Sequence, residues 1–140
     1  MVESSSQGRR LFLALLVPQG LALVVALGVV ALIGAATEAM AAALWGGSIS
    51  ILANAWAGFQ LWLHPANRSP ARQASASMRA EAGKVAIVLL LFGTTFSKWP
   101  AASSGSTGII LVLVFLWTYL AGLLALHRAS RDAGKEYSQS

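Results

Sequence analysis

The sequence predicts an all-α integral membrane protein, with four transmembrane helices arranged as two hairpins. Three observations carry that reading. Of 140 residues, 56% are apolar and only 11% are charged, whereas a soluble domain carries about 25% charge. The apolar residues are gathered into long runs instead of alternating with polar ones. The basic residues sit at the ends of those runs, on one side of the predicted hairpins.

The first span is expected at about residues 10–33, after a polar, Ser-rich tail over 1–9. Its apolar stretch of 23 residues, 11–33, exceeds the roughly 7–15 of a signal-peptide core, so a retained anchor is expected. Pro18 and Gln19 predict a kink near its middle. The second span is expected at about 39–63, with an Ala-rich start, Trp62 at an interfacial position and a stop at His64-Pro65. Residues 64–77, with Pro65, Pro70, Arg68 and Arg72, read as a loop. The third span is the weakest. Its unbroken apolar core, 85–92, is too short to cross, since a crossing helix needs about 20 residues. A span over about 79–98 must therefore draw Glu81 and Lys84 into the membrane margin. The fourth span, about 108–127, is the most apolar, and a polar tail over 128–140 follows it.

Nine of the ten Lys and Arg residues fall before span one, between spans two and three, or after span four; Lys98 is the exception. The positive-inside rule then predicts both termini on the cytoplasmic side. The formal charge of +5 is read as topogenic, because no basic face with a stacking platform suggests nucleic acid. The absence of cysteine excludes disulfides and thiolate-bound metals. His64 and His127 are both expected at helix ends, where a cation is favoured, and they lack a carboxylate cluster for a metal site. Glu38 is expected to cap the start of span two. No phosphate loop, nucleophile–base pair or carboxylate dyad is visible, so no catalytic residue, cofactor or metal is expected.

Two constellations remain. Ala42, Gly46, Ser50, Asn54 and Gly58 recur every fourth residue and form one stripe on span two. Small side chains let backbones approach where lipid supplies no hydrophobic drive. The stripe can pack on span one, whose companion stripe is Ala14, Pro18, Ala22 and Ala26, or it can receive a partner's helix. Asn54 needs a hydrogen-bond partner at mid-span, and Gln19 is the candidate. Glu81 and Lys84, three residues apart, share a helix face and can pair.

The run Gly46-Gly47-Ser48-Ile49-Ser50-Ile51-Leu52-Ala53-Asn54, followed by Arg79-Ala80-Glu81-Ala82-Gly83-Lys84, resembles the ATP synthase protein I (I-chain) family. Asn54, Glu81 and Lys84 match the family pattern, while Ala53 stands where the family has Pro and Ala80 where it has Gly. The resemblance implies a non-catalytic assembly factor of the bacterial inner membrane. Its partner would be rotor subunit c of the F-type ATP synthase, which it would help to insert and assemble into a ring. The alternative is a small magnesium channel or transporter serving the synthase. A four-span multidrug exporter is disfavoured, because span one lacks a mid-span carboxylate. A purely structural subunit of a larger complex is a third possibility.

Overall fold

A computed structural model describes residues 2–64, 69–103 and 105–137. Four long helices account for most of them: α1 (Val2–Leu32), α2 (Thr37–Gly58), α3 (Pro70–Lys98) and α4 (Gly105–Tyr137). All four contain a stretch long and apolar enough to cross a membrane. The chain is thus an all-α, four-helix, multi-pass membrane protein. Large apolar side chains point outward along it, including Leu13, Val17, Leu21 and Val24 on α1 and Leu113, Leu116, Leu120 and Leu124 on α4. Such ridges belong against lipid tails, because water would be an expensive neighbour.

The turns between helices follow from single residues. Gly34 takes φ 66°, which a side chain would disfavour. Its N–H donates to the Ala31 carbonyl (3.0 Å) and the Ala35 N–H to the Val30 carbonyl (3.3 Å). This is a Schellman closure of α1. Between α3 and α4, Pro100 ends the third helix and opens a 3-10 turn, Pro100–Ser103.

The helices run longer than the predicted spans. Residues 64–77, read as a loop, are helical from Pro70 onward. Proline had suggested a break, but it is well tolerated in the first helical turn, where its missing N–H has no partner to lose. Ser69 is the N-cap. Arg68 and Pro65, used in the sequence reading, lie outside the described residues. α1 continues back to Val2 and α4 runs on to Tyr137, through stretches read as tails. His127 consequently lies inside α4 and not at a helix end. α2 begins at Thr37 with Ala36 as N-cap, and no side chain caps it; Glu38 sits in the first turn, where the helix dipole favours an anion. Beyond Gly58 the helix widens into a π turn, Phe59–Leu63, closed by the His64 N–H donating to the Phe59 carbonyl (2.9 Å).

α2 is the hub. Half of its membrane stretch is buried by protein, against 11% for α3, and it touches each of the other three helices. It is rich in Ala, Gly and Ser, which suits a helix that faces other helices more than lipid. Glycines set the approaches. Gly46 lies against the Leu111 carbonyl of α4, Gly47 against the Leu23 side chain of α1, and Gly58 against Phe12. On the remaining side, Gly83 of α3 receives the Trp56 indole. Near the other end the Trp45 indole N–H donates to Thr95 Oγ1 (2.7 Å). α1 and α4 also meet directly, through the Trp117 indole N–H donating to the Ala22 carbonyl (3.0 Å). α3 is peripheral. It follows α2, and it reaches α4 only through long side chains such as the edge-to-face pair Phe92–Phe115 (5.1 Å between centroids).

Close approach at Gly46 gives a test. Gly46→Ala should destabilise the protein by about 1–3 kcal/mol, the usual range for overpacking, because its Cβ would strike the Leu111 backbone. Gly20→Ala and Gly28→Ala, which open into free space, should leave the thermal midpoint in detergent unchanged or slightly raised.

Candidate functional site

The α2 stripe lies wholly inside the monomer. Ala42, Gly46, Ser50, Asn54 and Gly58 are all buried, held by α4 around Gly46 and by α1 around Gly58. A partner helix would reach this stripe only by displacing α1 or α4. The α1 face that meets the interior also differs from the expected one. Ala22 is buried with Leu15, Gln19, Leu23 and Val30, while Ala14, Pro18 and Ala26 are half-buried. Larger side chains of α1, Leu23 and Phe12, fill the grooves that α2's Gly47 and Gly58 open.

A polar layer crosses this interior. The contacts Leu23–Gly47 and Phe12–Gly58 bracket Gln19 on α1 opposite Ser50 and Asn54 on α2. Gln19 is 0% and Asn54 2% exposed. The expected Gln19–Asn54 clamp is not made. Both amide atoms of Gln19, Nδ2 of Asn54 and Oγ of Ser50 have no hydrogen-bond partner. The reason is on α4. Gly122 has no side chain, and the Gln19 amide lies over it. Thr118, on the same face of α4, is satisfied locally, since its hydroxyl reaches the Val114 (2.5 Å) and Phe115 (3.0 Å) carbonyls. Nothing in the sequence signalled the Gln19–Gly122 contact, because a 3.6-residue period identifies faces within a helix but not pairings between helices.

The second predicted constellation is formed. Lys84 Nζ donates to Glu81 Oε1 (3.0 Å) and lies 2.9 Å from Oε2. The pair is lopsided: the Lys84 side chain is 13% exposed and that of Glu81 61%. Lys84 is covered by α4, with its ammonium 5.6 Å from the Tyr119 ring centroid, and Tyr119 stacks on Phe115. This cation–π contact was not legible in the sequence, because it joins residues 35 positions apart on two helices. With Phe92–Phe115, Lys84–Tyr119 ties α3 to α4 across an otherwise open angle. The stripe and the Glu81–Lys84 pair are therefore separate features, one internal and one on the α3 surface. Gly83 and Ala80, beside the pair, face inward: Gly83 seats Trp56, and Ala80 is 0% exposed. Ala53, the other position that departs from the family pattern, is 0% exposed as well.

Among the described residues no three His, Cys, Asp or Glu side chains gather where a metal could be held. The fold and interior thus define a polytopic helical membrane protein with a small-residue core, a buried polar layer and the Glu81–Lys84 ion pair on α3. No protein-family model, curated protein or solved structure matches the chain.

The orphaned polar atoms make a prediction. An unsatisfied buried group costs about 1–3 kcal/mol, so Gln19→Met, close in shape and apolar, should raise the thermal midpoint in detergent. Thr118→Val, which deletes a satisfied hydroxyl, should leave it level or lower it. A fall on Gln19→Met would mean that the amide is hydrogen-bonded in the membrane.

Proposed function

We propose that this chain is a non-catalytic assembly factor of the bacterial F-type ATP synthase, acting in the inner membrane to help rotor subunit c insert and form its ring. The observation that carries the reading is the exposed flank of α3. α3 rests on α2 and meets α4 only through side chains, so Val85, Leu89 and Leu90 form an outward apolar ridge. That ridge runs on from the Glu81–Lys84 pair, in the segment whose residues resemble the I-chain family. A hydrophobic hairpin such as subunit c could lie along this ridge without opening the core. The reading relocates the contact surface. The α2 stripe supports it from within, by fixing α2 against α1 and α4, and the ridge with Glu81 and Lys84 offers the outer contact. Termini on the cytoplasmic side belong to the same proposal, on the strength of the basic residues.

Co-expression with subunit c and affinity purification in mild detergent tests this. Subunit c should co-purify, and ring yield should fall when the chain is omitted. Leu89→Ala/Leu90→Ala should lower ring yield by about fivefold, the equivalent of about 1 kcal/mol of lost helix packing. Leu113→Ala/Leu116→Ala, on the outward face of α4, should leave it unchanged. Ring yield indifferent to the chain, together with magnesium uptake into liposomes that contain it, would replace assembly with the transport reading.

A further inference from the structure

One open groove lies where α2 begins and α3 ends, the end of the bundle opposite the termini. It has a volume of about 360 Å³ and is lined by Ala41, Trp45, Leu91, Thr94, Lys98 and Trp99, with Thr95 at its floor. That volume is within the roughly 300–1,000 Å³ of small-molecule sites. The groove is built. The Trp45 indole N–H donates to Thr95 Oγ1 (2.7 Å), and that hydroxyl donates in turn to the Leu91 carbonyl (2.5 Å). The polar atoms of the floor are thereby consumed, and what faces the opening is indole and aliphatic surface. At its mouth stands Lys98, an exposed base in the last turn of α3. No carboxylate pairs with it among the described residues. The neighbouring Trp99 marks the depth at which tryptophans settle, between headgroups and tails.

An apolar slot that ends in a single cation at headgroup depth is complementary to an amphiphile with a long hydrocarbon tail and one anionic head. The geometry points to a bound anionic phospholipid: one acyl chain lies in the groove against Trp45 and Leu91, and its phosphate is paired with Lys98. The Lys98 stem is long enough for its ammonium to follow the phosphate while its methylenes cover the tail. Lys98 is also the base that departs from the charge asymmetry of the sequence. In that setting it works against topology, and a ligand at its side gives it a purpose. Under the orientation the other bases predict, the lipid belongs to the outer leaflet. This inference does not depend on the partner proposed above.

Tryptophan quenching tests it. The intact protein is placed in phosphatidylcholine vesicles doped with phosphatidylglycerol, with bromine carried on the acyl chains of one lipid or the other. Brominated phosphatidylglycerol should quench more than brominated phosphatidylcholine at equal content, with local enrichment of about fivefold, the effect of one basic residue beside an anionic lipid. Lys98→Gln should remove the part of that excess due to Trp45 and Trp99. Ala41→Phe, which fills the groove and keeps the charge, should remove it too. Arg10→Gln, at the other end of the bundle, should not change this part. Circular dichroism and elution volume check that each variant is folded. An excess that survives both Lys98→Gln and Ala41→Phe would overturn the site. So would equal quenching by the two lipids in the unmodified protein, whether bulk lipid or a second copy of the chain fills the groove.

Discussion

In a bilayer the hydrophobic effect cannot press helices together, because lipid tails are as apolar as leucine. What remains is the contact energy of closely packed surfaces and a few interhelical hydrogen bonds. Everything in this fold depends on how closely other helices can approach α2. Gly46, Gly47 and Gly58 let α4 and α1 come within contact of its backbone or fill the space where its side chains would be. A Cβ at Gly46 would meet a carbonyl, which cannot move aside as a flexible side chain can. α2 can be rich in Ala, Gly and Ser because its neighbours shield it. In return the other three helices present their bulk outward to lipid.

That arrangement separates the polar groups into two kinds. Thr95, Thr118, Trp45 and Trp117 are satisfied by short bonds that either stay within one helix or tie two together. Both amide atoms of Gln19, Ser50 Oγ and Asn54 Nδ2 are enclosed without partners, in a layer between α1, α2 and α4. Packing took precedence over pairing there: Gln19 fills the space over Gly122, and a bond to Asn54 is given up. The layer is a weak point in an otherwise tight core, and the most direct place to change stability without touching the surface.

α3 stands apart from this logic. It is tied to α2 by Gly83–Trp56 and Trp45–Thr95, and to α4 by side-chain contacts that include Phe92–Phe115 and Lys84–Tyr119. It carries Glu81, paired with Lys84, partway along its length and Lys98 with its groove in its last turn. The helix that the sequence identified as too short to cross unaided is the one whose margins bear charge. The shortage of apolar residues and the presence of polar contacts are the same fact seen twice.

The number of helices, their apolar character and the Glu81–Lys84 pair were determined by sequence alone, because they rest on run length, composition and i,i+3 spacing, all of which are local. The central role of the α2 stripe was also legible, since small residues at a period of four have few other uses in lipid. Helix ends were less legible: Pro70 begins a helix as readily as it ends one, and the sequence does not say which. Only the tertiary structure decided that the stripe is covered from within, that Gln19 turns to Gly122 and away from Asn54, that Lys84 is roofed by Tyr119, and that Trp45 and Lys98 border one groove. Each of these joins residues far apart in the chain, and such pairings are fixed by how helices stack and not by the pattern along any one of them.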